Sequence, residues 1–139
     1  MVYTKLRKVM IAEDDMMIAE MLEGALVAAG YDVCGIARTV AEAVALVHQH
    51  KPDLAIVDVR LADGDLGTDI IVQLGGIGRL GVLYATGNKL RLTGADGHAY
   101  IGKPYSETNL LRALEIVSEL VTEGTASQPF PRGFRLLTP

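Results

Sequence analysis

Charged side chains stand directly after three short apolar runs of this 139-residue chain. Glu13-Asp14-Asp15 follows the first run, Asp58 follows the second, and Lys103-Pro104 follows the third. Continuous apolar runs are typical of buried strands, and charges beside them cost free energy unless they are neutralised. If the strands are parallel neighbours, the carboxylates and the ammonium group meet at one edge of one sheet.

The acids at this edge indicate a metal site. Glu13 and Asp14 end the first strand and Asp58 ends the third, and these strands are neighbours in the sheet order 2-1-3-4-5. Clustered carboxylates repel one another unless a cation neutralises them, and Mg2+ is the hard cation that oxygen ligands favour. Alternatively, Asp14 or Asp15 only caps the first helix.

Two further groups point to phosphoryl transfer. Lys103 adds a positive charge opposite the acids, and Thr86 places a hydroxyl at the end of the fourth strand. An Asp can attack phosphorus and hold a covalent phosphoryl group, while the surrounding charges neutralise its oxygens. Taken singly, Lys103 could be a surface lysine and Thr86 a helix cap.

The elements that position these residues alternate between short apolar runs and helical stretches. The alternation predicts an α/β fold of the doubly wound, flavodoxin-like class, with a five-stranded parallel sheet and helices on both faces. We expect the strands at Lys8–Ala12, Asp32–Ala37, Leu54–Val57, Val82–Ala85 and Ala99–Ile101. We expect the helices at Asp15–Ala29, Val40 to about Lys51, Thr68–Leu74, and after Ser106.

Two details of these elements carry further expectations. The segment between Thr86 and Lys103 is short and contains several glycines, so the fourth helix is predicted to be shortened or missing. In the first helix, the spacing of Met16, Met17 and Met21 predicts that they belong to the core.

Composition limits the function classes. Half of the residues are hydrophobic and the formal net charge is −4, which favours a globular domain and argues against binding nucleic acid. A solitary Cys34 fits a reducing cytoplasm, and the N-terminus lacks the long apolar segment of a signal peptide. No run approaches the roughly 18 apolar residues of a membrane span. We interpret His48, His50 and His98 as structural or surface residues.

Over about residues 7–123 the chain resembles the CheY-like response-regulator receiver domain of two-component signalling. The likeness rests on the acids at 13–15, Asp58, Thr86, Tyr100 and Lys103-Pro104. The stretch Tyr84-Ala85-Thr86-Gly87 is similar to a β4 motif of an alphaproteobacterial branch of single-domain receivers.

The resemblance implies that Asp58 is the phosphoacceptor, charged by a histidine kinase or a histidine phosphotransfer protein. It implies that Mg2+ is held by Glu13, Asp14, Asp58 and the backbone carbonyl of Arg60, and that Asp15 is the helix cap instead of a metal ligand.

The same resemblance implies roles for the residues around the phosphoryl group. Thr86 and Lys103 would contact it, Thr86 and Tyr100 would act as switch residues, and a cis peptide would precede Pro104. Arg60 and Asn88 would tune how long the phosphoryl group survives.

On this interpretation the chain assists only its own phosphorylation and dephosphorylation, and is not otherwise an enzyme. It would signal by protein contact to an unknown downstream protein, or serve as a phosphate sink or shuttle. One alternative is a Mg2+-dependent phosphohydrolase with Asp58 as nucleophile, although Arg60 stands where that chemistry needs a second acid. A phosphorylation-independent scaffold is the other alternative.

Two segments are less regular. Residues 1–123 are predicted to form the receiver domain and 124–139 a C-terminal tail, which carries Phe130, Phe134, Leu136 and Leu137. These apolar residues predict that the tail packs back on the domain or docks on a partner or second subunit; otherwise it is disordered. In the loop after Asp58, Asp63 and Asp65 are expected to be solvated turn residues, with modulation of metal binding as the alternative.

Overall fold

The computed structural model describes residues 7–87, 92 and 94–137. Within them, six strands and four α-helices follow one another along the chain. The strands are β1 (Lys8–Ala12), β2 (Asp32–Ala37), β3 (Leu54–Asp58), β4 (Gly81–Thr86), β5 (Ala99–Gly102) and β6 (Phe134–Leu136). The helices are α1 (Met16–Ala28), α2 (Val40–His50), α3 (Thr68–Gln73) and α4 (Glu107–Glu123), and a 3-10 turn spans Ala62–Gly64.

The strands form one sheet in the order β2-β1-β3-β4-β5-β6. The first five are parallel, which confirms the predicted doubly wound sheet, whereas β6 runs antiparallel to β5 and was not predicted. Ala12 pairs with Val57, Asp58 with Ala85, and Thr86 with Gly102. This register brings the carboxyl ends of four strands to one level, which is where the sequence places its charged residues.

Alternate strand residues point to opposite faces of the sheet and form two cores. On the first face, Ile11, Ile56, Leu83 and Ile101 pack with apolar residues of α1 and α4. On the second face, Met10, Val57, Val82 and Tyr84 pack with apolar residues of α2 and α3. Burial of each such side chain contributes about 1.5–3 kcal/mol, so the sheet is a rigid base for the residues at its edge.

The methionines of α1 contradict the sequence expectation. Met16, Met17 and Met21 have exposed fractions of 42%, 75% and 73%, whereas the buried residues of α1 are Ala19, Leu22, Ala25 and Leu26. The prediction of a methionine core was wrong because the buried stripe of α1 is narrow, consisting of two alanines and two leucines, and the methionines lie outside it. Asp15 caps the helix as expected, since its carboxylate accepts from the amides of Met17 and Ile18.

In the connection between β4 and β5, the described residues before β5 contact β4 through Tyr84 and His98. The Tyr84 hydroxyl donates to the carbonyl of Asp96 at 2.7 Å, and a Cβ at Gly97 would lie 2.5 Å from the Tyr84 ring. His98 Nδ1 accepts from the Val82 amide at 3.0 Å. The described part of this connection contains no α-helix. The segment predicted to hold a shortened helix includes Asn88 and lies partly outside the described residues.

The loop after β3 is folded tightly against its own strand. The amide of Gly67 donates to the carbonyl of Val59 at 2.7 Å. A Cβ at Gly67 would lie 2.0 Å from the carbonyl oxygen of Asp58 and 2.6 Å from Val57 Cγ1. Because Gly67 has an ordinary helical φ of −58°, the requirement for glycine here is one of space and not of backbone conformation.

None of the helices in the described part of the chain has both the length and the apolar character needed to span a bilayer.

We predict that Gly67→Ala lowers the free energy of unfolding by about 1–3 kcal/mol, because the added methyl group overlaps the backbone of β3. Gly24→Ala is the matched control, since no atom other than those of its chain neighbours and of the backbone of α1 lies within 4 Å of its Cβ position. The control is expected to gain up to about 1 kcal/mol. Urea denaturation of the three proteins measures both effects, and equal midpoints for Gly67→Ala and wild type would contradict the packing argument.

A second prediction concerns pH. Burial lowers the pKa of His98 below its ordinary value of 6.5. The unfolded chain therefore binds more protons at acidic pH, and stability falls as the pH drops through about 6.5. His98→Asn keeps an acceptor for Val82 without a titrating ring, so its stability should fall less than that of wild type as the pH drops from about 7 to 5.5. Thermal melts across this range test the prediction, and parallel curves for the two proteins would refute it.

Candidate functional site

Three carboxylates meet at the carboxyl end of the sheet. One oxygen from each of Glu13, Asp14 and Asp58 lies within 4.8 Å of the others. Glu13 and Asp14 directly follow β1, and Asp58 is the last residue of the neighbouring strand β3. The structure therefore brings together the acids that the sequence predicted to share a site.

Lys103 closes the site from the direction of β5. Its Nζ donates to Asp58 Oδ2 at 2.9 Å and lies 3.5 Å from Glu13 Oε1. Burial by itself would lower the pKa of Lys103, but the hydrogen bond and charge of Asp58, together with the charge of Glu13, raise it above 10.5. The lysine is therefore a fixed positive charge at working pH. The peptide bond that follows it, Lys103-Pro104, is cis.

Glu13 is the most deeply buried acid of the site. Burial, followed by the negative charge of Asp58, raises the pKa of Glu13 from 4.5 to about 7. The Asp15 amide, which donates to Glu13 Oε2 at 3.2 Å, and the charge of Lys103 lower this pKa by less. Crowded carboxylates have thus raised the free energy of the charged state, which a bound cation would relieve.

The predicted switch residues lie on neighbouring strands. Thr86 ends β4 and is buried, and its carbonyl accepts from the Lys103 amide at 2.9 Å. Tyr100 lies on β5 beside Tyr84 in the strand register and is half-buried against the second core. Thr86 and Tyr100 therefore lie on two strands, β4 and β5, that are paired directly with each other.

The structure describes one of the two predicted modulating residues, Arg60. Arg60 is exposed, and its amide donates to Asp58 Oδ1 at 3.3 Å, so its backbone lies beside the phosphoacceptor candidate. Asn88 lies outside the described residues.

One residue of the loop after Asp58 has a role that the sequence analysis missed. The carboxylate of Asp65 accepts from the amide of Val40 at 2.9 Å, at the start of α2. Asp65 is therefore not simply a solvated turn residue: it ties this loop to the loop after β2. Its partner lies 25 positions earlier in the chain, so no local sequence signal could have found it. Asp63 is exposed and adopts a left-handed conformation, with φ of 61°.

The arrangement combines a nucleophile, a cation and a set of oxygen donors. The side chain of Asp58 is 12% exposed, so a reacting group can reach it only from the solvent side of the sheet edge. Around it stand the Lys103 ammonium group and the carboxylates of Glu13 and Asp14. Hard oxygen donors of this kind fit a small divalent cation, and the excess of negative charge favours one.

Comparisons with known proteins agree with this geometry. The family model of the response regulator receiver domain matches residues 9–115. The transcriptional regulatory protein PdtaR of Mycobacterium tuberculosis is 36% identical over 125 residues, which cover 86% of this chain and 60% of that protein.

Solved structures show the same likeness. The crystal structure of anti-anti-sigma factor PhyR from Bartonella quintana has a TM-score of 0.65 at 35% identity, covering 75% of this chain and 44% of that one. The solution structure of the receiver domain of Erythrobacter litoralis PhyR has a TM-score of 0.73 at 26% identity, covering 90% of this chain and 98% of that domain. The chain spans about 60% of the length of PdtaR. It belongs to the response regulator receiver domain family.

Proposed function

We propose that this chain works in the cytoplasm as a phosphorylation-activated receiver, with Asp58 as the residue that accepts the phosphoryl group. The donor would be the phosphohistidine of a histidine kinase or of a histidine phosphotransfer protein. The observation that carries the proposal is the position of Asp58, held 2.9 Å from Lys103 Nζ at the open end of the sheet. Glu13, Asp14, Asp58 and the backbone carbonyl of Arg60 would hold Mg2+.

The transfer step follows from the site. A carboxylate oxygen of Asp58 attacks phosphorus, an O–P bond forms, and the P–N bond of phosphohistidine breaks with its electron pair left on the imidazole. Lys103 would neutralise charge on the phosphoryl oxygens, and Thr86 would donate a hydrogen bond to them. Bound Mg2+ would neutralise further charge and orient the same oxygens.

The chain is best described as a switch that assists its own modification. Phosphorylation adds about two negative charges at Asp58, and these charges act on Thr86 and through β4 on Tyr100. Arg60 flanks the entrance to Asp58 and, with Asn88, would tune the lifetime of the phosphoryl group. Receiver domains in general are signalling domains, so no separate substrate is needed.

We infer that output is by protein contact and not by DNA contact. The net charge of −4 supports this inference, because binding to DNA requires a positively charged surface. The name of the Bartonella protein describes it as an anti-anti-sigma factor, which is a role in protein contact. The downstream partner of this chain would be a protein, and a phosphate sink or shuttle is the alternative role within the same chemistry.

Phosphorylation is tested directly. With Mg2+ and a small phosphodonor, wild type is expected to give a shifted band on an acyl-phosphate-sensitive gel, and Asp58→Asn to give none. Intact-protein mass spectrometry and a thermal melt confirm the modification and the folding of the variant. If wild type takes no label from the donor or from any cognate kinase, the receiver proposal is wrong. Turnover of many phosphomonoesters would instead favour the phosphohydrolase.

Mg2+ binding should depend on pH through Glu13. Because the pKa of Glu13 is about 7, below that pH a bound cation must displace a proton, and affinity should rise between about pH 6 and 8. The rise is at most about tenfold per unit, and Glu13→Gln should bind more weakly with a flatter dependence. Calorimetry in two buffers of different ionisation enthalpy measures the proton release. Equal wild-type affinity across this range would exclude Glu13 as the titrating ligand.

A further inference from the structure

The segment after α4 turns back and adds a strand to the outer edge of β5. The amide of Gly102 donates to the carbonyl of Gly133 at 3.0 Å, and the amide of Leu137 donates to the carbonyl of His98 at 2.9 Å. Between these bonds, β6 pairs with β5 along three residues. We call residues 125–137 the tail strap.

A second anchor attaches the tail strap to α4. The guanidinium group of Arg112 donates to the carbonyl of Ser127 at 2.9 Å and to the carbonyl of Pro129 at 3.4 Å. The Ser127 hydroxyl donates to Glu119. These contacts are between exposed groups and face water, so each is weak.

The tail strap is held less firmly than the sheet it joins. Phe134 is its buried side chain, with an exposed fraction of 7%, while its ring neighbour Phe130 is 37% exposed. A three-residue edge strand with one buried side chain, partly buried Leu136 and Leu137, and exposed polar contacts opens at a lower free energy than the core strands. The strap can therefore detach while the five parallel strands stay folded.

The attachment point of the strap adjoins the phosphoryl site. Gly102, which binds Gly133, immediately precedes Lys103, which binds Asp58. In the sheet order, β3 with Asp58 lies on one side of β5 and β6 lies on the other. The backbone bond that holds the strap to β5 and the ammonium group that contacts Asp58 therefore belong to two consecutive residues.

We propose that the tail strap is a removable cover, released by phosphorylation of Asp58, and that the uncovered edge of β5 binds an extended segment of a partner protein. This inference rests on the proposed function of Asp58. The edge of a sheet presents free amide and carbonyl groups that an added strand satisfies. The strap itself shows which chemistry fits: Phe134 enters the core, the intervening Arg135 is exposed, and Leu136 packs against the same core. The partner segment has the same apolar-basic-apolar pattern.

Hydrogen exchange on the full chain tests the release. With Mg2+ and beryllofluoride, a phosphoryl analogue, the amides of Gly102 and Leu137 should exchange about tenfold faster or more, and amides of β1 and β3 should not change. Asp58→Asn should show no response.

Phosphoryl incorporation is measured separately by mass with a small phosphodonor. If Asp58 takes the label but the two amides stay protected in the modified chain, the strap proposal fails and the receiver function stands. If no label is incorporated, the proposed function itself fails.

Variants test the coupling in reverse, because coupling between two equilibria is reciprocal. Phe134→Ala should raise the affinity for beryllofluoride several-fold, whereas Arg132→Ala, an exposed change in the same segment, should not. Arg112→Ala removes the polar anchor and provides a second test if Phe134→Ala does not fold. Unchanged affinity in the folded variants would refute the coupling.

A labelled peptide with the sequence of residues 130–137 probes the edge. It should bind the beryllofluoride-loaded chain and not the free chain, and the same peptide carrying Phe134→Ala should bind neither. Absence of binding would overturn the docking surface. If the chain instead forms a concentration-dependent dimer that prevents peptide binding, then a second copy of the chain occupies the edge of β5. That result would contradict the proposal of a partner protein.

Discussion

Crowding of negative charge at the end of the sheet is the constraint on which the rest of this structure depends. Three carboxylates share a space with one another, and the ammonium group of Lys103 balances only one of them. The pKa of Glu13, raised to about 7, shows how far burial and the charge of Asp58 disfavour the fully charged state. Such a site is stable only because a large core fixes the strands that carry it, and it favours binding whatever supplies positive charge.

The parallel sheet and the convergence of its charged ends could be predicted from the sequence. Strands buried on both faces are continuous apolar runs, and β1 is such a strand; both β1 and the half-buried edge strand β2 were predicted with the bounds that the structure shows. The carboxyl ends of parallel strands lie at the same edge of a sheet. The proximity of Glu13, Asp14, Asp58 and Lys103 could therefore be predicted without knowing the conformation of the loops between them. The chemical roles of these residues are proposals that the experiments above address.

What the sequence did not reveal depends on contacts between distant segments. The three residues of β6 are too few to show a strand pattern, and their pairing is set by the edge of β5. The cap that Asp65 provides for α2 joins two loops, and nothing local distinguishes it from a turn residue. The methionines of α1 have helical spacing, but spacing alone does not tell which side of a helix is covered.

The path of the tail also decides where the last described residue, Leu137, lies. Helix α4 starts near Lys103 and runs back along the sheet, and the following segment returns to Gly133 beside Gly102. Strand β6 then runs antiparallel to β5, so Leu137 lies next to His98, at the end of β5 that is far from Asp58. A segment joined after Leu137 would start at the pole of the domain far from the phosphoacceptor. A protein that delivers the phosphoryl group to Asp58 would therefore approach the opposite end of the domain and would not meet such a segment.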